Sequence, residues 1–298
     1  MDGQLISILG EPVTDPEEEA FLLFSQDIPS QSLGFIDSKA PALNITVAGH
    51  DLTIHQSRGL LHSDRKQGTT GAVVWKVTPL FAEWVASQNF VFEAGYLAAD
   101  SIALELGAGV AGIVALALAP KIKRYIATDQ GYVLRLLKQN ISENSATNSR
   151  NGNKIERSRH KRPHAANNLP SSNIETLELD WESDLRLALY SVLGREDSIS
   201  DGGPNGVDLL IACDCIYNDT LIEPLNEACA QICHLRSSNP EARPTLCLIA
   251  QQLRSYEVFE SWLKSFHQKF HVWRVPDQLL IAPLREHSGF VIHIGLLR

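Results

Sequence analysis

The sequence predicts a doubly wound α/β fold: a mostly parallel sheet of seven strands with an antiparallel C-terminal strand, preceded by a small N-terminal β extension. Three observations predict it. Strand and helix patterns alternate from Gly71 onward, which calls for a parallel sheet with helices on both faces. A glycine-rich turn, Gly107-Ala-Gly-Val-Ala-Gly112, follows the first of these strands and opens a helix. The rhythm then breaks: the extended runs 270–275 and 290–297 are joined by 276–289, too short for a comfortable helical crossover, so they should pair antiparallel.

The elements follow in order. Residues 1–70 form an N-terminal extension with an acidic patch (Asp15, Glu17, Glu18, Glu19) and an alternating segment, 42–54, that reads as a β-hairpin turning at Ala48-Gly49-His50-Asp51. Residues 71–298 form the main domain. Its expected strands are 101–106, 124–128, 174–179, 207–213 and 245–250, besides the final pair; its expected helices are 73–85, 112–118, 133–143, 221–235 and 256–270. Residues 142–173 interrupt the pattern. They are rich in Ser, Asn and Arg and carry Arg150, Lys154, Arg157, Arg159, Lys161 and Arg162 against Glu156. A disordered insertion is expected there, either a solvated rim loop or a basic arm able to touch ribosomal RNA.

Composition narrows the function. The 298 residues are 44% hydrophobic and 20% charged, an ordinary globular balance. A net charge of −9 argues against a broad phosphate-binding surface, so direct nucleic-acid binding is not expected. A basic partner protein suits the surface better, although many soluble proteins carry a modest acidic balance for solubility alone. No run approaches the roughly 18–20 apolar residues that cross a bilayer, and the start, with Asp2 and Glu11, lacks a leader pattern. No membrane association is expected, and the reading is of a monomer in the cytoplasm, with the nucleus as a second compartment. The five cysteines are an odd number and look like reduced core thiols; Cys229, Cys233 and His234 find no second ligand pair, so no metal is expected.

The chemistry starts at Ala103-Leu-Glu-Leu-Gly-Ala-Gly109. Glycines serve where backbone must approach a ligand closely or take positive φ. The spacing also fits a dinucleotide turn, so an NAD(P)-dependent oxidoreductase stands as a rival, and a non-catalytic binding module on the same fold as another. Glu105, two residues before Gly107, favours the ammonium of a bound amino acid over a pyrophosphate. Asp129 follows the next strand, where an acid accepts ribose hydroxyls in either reading. Trp181 ends the third strand, where an indole can stack on a purine or simply cover the sheet edge. In Ala212-Cys-Asp-Cys-Ile-Tyr217, the strand end should present Ala212, Asp214 and Tyr217 to the crevice. Alternatively Asp214 caps the next helix, although Asn218 or Asp219 already offers a cap.

Taken together, Thr70-Gly-Ala-Val-Val-Trp75, Leu104-Glu-Leu-Gly-Ala-Gly109, Thr128-Asp129, Leu179-Asp-Trp181 and Asp214-Cys-Ile-Tyr217 resemble, in order, the motifs of the seven-β-strand protein lysine methyltransferases, over residues 70–297. The extension and the insertion resemble the fungal members that modify a large-subunit ribosomal protein. The resemblance implies a Rossmann-like methyltransferase sheet and S-adenosyl-L-methionine as cofactor. It implies that Trp75, Gly107, Ala108, Gly109, Asp129, Trp181 and Ala212 line the cofactor site, with Asp214 and Tyr217 beside a lysine channel as the catalytic pair. Val110-Ala111 departs from the family, which often has Thr or Ser and then Gly; backbone amides of the turn are expected to remain available to the cofactor's amino-acid end.

Overall fold

The computed structural model describes residues 3–29, 33–61, 69–151, 173–194, 206–237 and 243–298, with backbone alone for 146–151. The extension holds more helix than its alternating pattern announces. Helices α1 (Gly3–Leu9) and α2 (Pro16–Phe24) precede the hairpin. The acidic patch is the start of α2: the Asp15 carboxylate accepts the amides of Glu17 and Glu18 at 2.8 and 3.2 Å. Pro16 occupies the first turn, and three glutamates sit at the positive end of the helix dipole.

Strands β1 (Ala42–Val47) and β2 (His50–His55) form the expected hairpin. It turns on Ala48 and Gly49, with φ of 51° and 77°, the left-handed pair of a two-residue turn; His50 and Asp51 already belong to β2. A short α3 (Arg58–Leu61) follows. The helix expected from residue 73 begins later, as α4 (Val77–Ala86), because residues 70–72 form a tight 3-10 turn against the glycine loop. Then comes α5 (Phe90–Glu93).

The main sheet uses β3 (Ile102–Leu106), β4 (Arg124–Asp129), β5 (Ile174–Glu178), β6 (Leu209–Cys213), β7 (Leu246–Gln252), β8 (Phe270–Arg274) and β9 (Phe290–Leu297). Between them run α6 (Ile113–Leu118), α7 (Gly131–Asn151), α8 (Arg186–Leu193), α9 (Ile222–Ser237) and α10 (Tyr256–Lys269). The strand order is β5-β4-β3-β6-β7-β9-β8, with β9 antiparallel to both neighbours, as the short final connection requires. Helix α8 escapes the sequence pattern; it buries Leu189 and Leu193 but leaves Leu187 81% exposed. Two apolar clusters fill the faces of the sheet, one carrying Trp84 and Trp273 and the other Trp262.

The chain reverses its direction across the sheet between β3 and β6, and the crevice beyond their C-terminal ends is where such folds bind ligands. That is the site described below.

The expected insertion needs correcting at both ends. Residues 142–151 continue α7 rather than forming loop, because that helix has an edge to hold. Asn140 and Asn144, one turn apart, each pair with both backbone groups of a β2 residue: Asn140 with His55 at 2.9 Å in both directions, Asn144 with Thr53 at 2.9 and 3.0 Å. At the far end, Asn173 donates to the carbonyls of Ala119 and Ile122 at 2.7 and 2.8 Å. The rest of the insertion, with its basic residues from Lys154 to Arg162, lies outside the described residues. Among those described, no helix is long and apolar enough to cross a membrane.

Candidate active site

Strand β3 delivers the chain to the crevice as Glu105-Leu106-Gly107. At Gly107 φ is +69°, and a Cβ there would lie 2.7 Å from the Cys215 sulfur and 3.3 Å from the Trp181 ring, so the residue must be glycine on both counts. Gly109, at φ +61°, also passes closely over the carbonyl of Gly71, 3.1 Å from where its Cβ would lie. The 3-10 turn and the glycine loop thus pack backbone against backbone.

That packing overturns one expectation. The amides of Ala108, Gly109 and Val110 are all taken internally, donating to the Thr128 carbonyl (2.9 Å), Asp129 Oδ2 (2.7 Å) and the Gly71 carbonyl (2.8 Å). The turn therefore offers a ligand close approach rather than these donors. Val110, fully buried, needs no side-chain hydroxyl to hold the loop, because Gly71 does so through the backbone.

Two acids stand at the strand ends. Asp129 closes β4, with each carboxylate oxygen accepting one amide at 2.7 Å, from Gly109 and from Gln130. Burial outweighs those bonds and pushes its carboxyl up to about 6. A carboxylate oxygen has two lone pairs, so each still has one to offer. Glu105 is 2% exposed, and its Oε2 accepts the Tyr125 hydroxyl at 2.8 Å. Burial again dominates: it raises Glu105 to about 7, with Tyr125 opposing and the charge of Asp129 adding.

These groups line one pocket, open to solvent, at the C-terminal ends of the strands. Trp75, Glu105, Gly107, Ala108, Gly109, Asp129, Trp181, Asp214 and Tyr217 all border it. Ala212 does not. Side chains alternate along a strand, so Cys213 faces the pocket while Ala212 packs with Leu106 into the core on the other side. Trp75 donates its indole N–H to the Thr70 carbonyl at 3.0 Å, and Tyr217, 37% exposed, stands at the mouth.

Other residues belong to this region without any sequence signal strong enough to name them. Gln130 lines the pocket, and its side-chain oxygen Oε1 is buried with no hydrogen-bond donor. Thr78 lies 3.9 Å from the Cys213 sulfur. Arg254, in the loop after β7, grips Asp214 with both terminal nitrogens, at 2.7 and 2.6 Å. A polar run at a strand's C-terminal end, Gln251-Gln252-Leu253-Arg254, was the available hint; that Arg254 meets Asp214 could not be read from it.

The donor and acceptor set fits S-adenosylmethionine. The two spare lone pairs of Asp129 suit a ribose diol, the buried Glu105 carboxyl suits an ammonium, the Trp181 face beside Gly107 suits a purine, and the orphaned Gln130 oxygen still needs an N–H or O–H donor.

Comparison with known proteins gives matches of three kinds: a family model, curated relatives and solved structures. A family model described as lysine methyltransferase matches residues 54–161. A Schizosaccharomyces pombe protein named diaminohydroxyphosphoribosylamino-pyrimidine deaminase is 27% identical over 262 residues; the match takes in 87% of this chain but only 53% of that protein, so the chain spans about half its length. Proteins named ribosomal lysine N-methyltransferase 5 also match. The one from Zygosaccharomyces rouxii is 31% identical over 72% of this chain and 70% of its own; the one from Candida glabrata is 25% identical over 98% and 99%. Among solved structures, a Thermus thermophilus 16S rRNA N2 G1207 methyltransferase in complex with AdoMet and guanosine aligns with a TM-score of 0.46 at 12% identity, covering 86% of this chain and 50% of that one. The N-methyltransferase NodS of Bradyrhizobium japonicum aligns at 0.37 and 11%, covering 74% and 95%.

Proposed function

This chain belongs to the lysine methyltransferase family, and from that premise we propose that it is an S-adenosylmethionine-dependent protein-lysine N-methyltransferase acting on a large-subunit ribosomal protein. The observation that carries the reading is the convergence of Glu105, Asp129, Trp181 and the Asp214–Tyr217 segment on a single pocket at the switch point of the sheet. The ribosomal target rests on the names of the yeast relatives, and the choice of the large subunit on the sequence resemblance alone.

The cofactor, when bound, supplies an electrophilic methyl group on a sulfonium. The chain's task is to hold a lysine amine in line with it, neutral and free of competing water. Keeping a lysine uncharged at pH 7 costs about 4–5 kcal/mol from its reference pKa, and burial in the channel lowers that cost. Asp214 accepts a hydrogen bond from the incoming nitrogen and sets its direction. Tyr217, at the mouth, gives the alkyl chain an aromatic wall, and water outside carries away the proton. Ribosomes are met in the cytoplasm and assembled in the nucleus, and the chain works there as a monomer on a protein surface.

The test is methyl transfer from labelled cofactor to ribosomes of cells lacking this protein, with mass spectrometry of the labelled product. Label in a lysine of a large-subunit protein is expected, and its absence overturns the substrate. Asp214→Ala should bind cofactor yet transfer nothing; normal turnover there removes Asp214 from the mechanism.

A further inference from the structure

We infer that Arg254 is a positioning residue for this transfer: it fixes Asp214 on the substrate side of the pocket and couples that carboxylate to the N-terminal segment Gly34-Phe35-Ile36. The inference rests on the reading of the pocket given above.

Asp214 is held in a conformation it would not choose alone. Its φ is +60°, and its side chain is only 1% exposed. Three donors reach its carboxylate: the two terminal nitrogens of Arg254 at 2.7 and 2.6 Å, and the amide of Gln252 at 3.3 Å. Of four lone pairs, one is left over. A buried carboxylate without the guanidinium would be an uncompensated charge, and it would leave this pose. Arg254 therefore decides both where the acceptor points and that it meets the lysine nitrogen as half of an ion pair rather than as a bare anion.

The same guanidinium reaches the extension. Its Nε donates to the Leu33 carbonyl at 3.2 Å and a terminal nitrogen donates to the Gln252 side chain at 3.0 Å. Its central carbon lies 4.8 Å from the centre of the Trp75 ring, which in turn packs against Phe35 with ring centres 4.5 Å apart. The backbone closes the unit: Ile36 donates to Val74 and Lys76 to Gly34, at 3.1 and 2.9 Å. Gly34, at φ +92°, lies so close that an added Cβ would strike the Gln252 side-chain oxygen and approach Arg254 to 2.6 Å. Docking of the extension and the pose of Asp214 are one arrangement. A lysine ammonium is a point charge without a planar fork and cannot serve these acceptors together.

The experiment uses the full chain with Arg254→Met, Arg254→Lys, Gly34→Ala, Asp214→Asn and the double variant Arg254→Met with Asp214→Asn. It measures calorimetric affinity for S-adenosylmethionine, kcat and KM on ribosomes lacking the modification, and amide exchange at Ile36 and Lys76. Arg254→Met should lose about 100-fold in kcat, the size expected of a misplaced catalytic group, with cofactor affinity changed by less than about fivefold. Arg254→Lys should recover little of that loss, and Gly34→Ala, whose methyl group would press on Gln252 and Arg254 from the extension without touching Asp214 itself, should fall in the same direction. Arg254→Met with Asp214→Asn should be no slower than Asp214→Asn alone, since Arg254 acts through that carboxylate. Amide exchange at Ile36 and Lys76 should quicken in Arg254→Met.

Wild-type turnover in Arg254→Met, full rescue by lysine, or additive losses in the double variant would overturn the inference. If the wild-type chain transfers no methyl group, the functional reading fails by itself, and unchanged exchange at Ile36 and Lys76 then overturns the coupling. Should Arg254→Met not fold, Gly34→Ala carries the same test: wild-type kcat and exchange there overturn it.

Discussion

Tyr125 donates its hydroxyl to Glu105 Oε2 at 2.8 Å, deep in the sheet where neither side chain meets bulk water. The two lie on adjacent parallel strands, Tyr125 opposite Ala103 in register, so the bond runs diagonally across one face. It orients the carboxyl toward the pocket. It does not restore the hydration lost on burial, and Glu105 is left at about 7 and the Tyr125 phenol well above its ordinary value.

Cofactor binding should therefore depend on pH. An ammonium beside Glu105 favours the ionised carboxylate, so binding expels a proton wherever the free protein is still protonated. Affinity for S-adenosylmethionine should rise as pH climbs toward about 7 and then level, with Asp129, at about 6, contributing the lower part of the slope. Calorimetry across pH, in buffers of different ionisation enthalpy, measures both affinity and proton release. Glu105→Gln should weaken binding about tenfold or more and flatten the upper part of the slope. A pH-independent wild type sinks the assignment of Glu105.

The ligand-free protein should lose stability over the same window. Glu105 and Asp129 are raised from 4.5 and 3.8, so the folded chain keeps protons that the unfolded chain has released. Their contribution is complete below pH 4 and declines as pH rises to about 7. For Glu105 the loss is of the order of 3 kcal/mol as an upper bound. Thermal melts without ligand should fall between pH 5 and 7.5, and Glu105→Gln should remove most of that fall; a wild-type melt rising steadily across the window contradicts it.

Gly107→Ala should damage the cofactor site more than the fold. The methyl group would press on Cys215 and Trp181 at a backbone angle that disfavours any Cβ. A cost of about 1–3 kcal/mol in stability is expected, with cofactor affinity down at least about tenfold because Trp181 must move. Calorimetry beside denaturant melts separates the two, and unchanged affinity would show that the Trp181 ring is not part of the binding wall.

Asn144→Ala tests the docking of the hairpin. It leaves the Thr53 amide and carbonyl without partners, while Asn140 still holds His55. A loss of about 1–3 kcal/mol is expected, with faster amide exchange at Thr53 and unchanged exchange in β7. Exchange that speeds everywhere would mean that the hairpin is not a separate docking unit.

Much of this molecule was written locally. The alternation of strands and helices, the glycine turn after β3, the acid closing β4 and the final antiparallel pair each depend on residues close in the chain, so their patterns survive in a one-dimensional reading. The start of α2 is also encoded locally, in Asp15-Pro16 followed by three glutamates, although by charge alone these residues are only an acidic patch. Other features needed partners far away. Residues 142–151 read as loop by composition, yet they are helix, and Asn144 in that stretch finds β2 some ninety positions earlier (|i−j| = 91). The internal use of the glycine-loop amides depends on Gly71 and Asp129, which no spacing rule brings together. Ala212 and Cys213 are chemically plausible neighbours of a ligand, and only the pleat of β6 sends one to the pocket and the other to the core.

The division has one physical cause. Backbone preference and hydrophobic periodicity are short-range and establish which elements form, and Glu105, Asp129 and Asp214 are placed at strand ends by that alone. Whether a buried charge is bare or matched, and whether an amide is free or taken, depends on which side chain arrives from elsewhere as the chain closes on itself. Asp214 could be located from its own strand; that its carboxylate is gripped by Arg254 and tied to Gly34 was decided only by the fold.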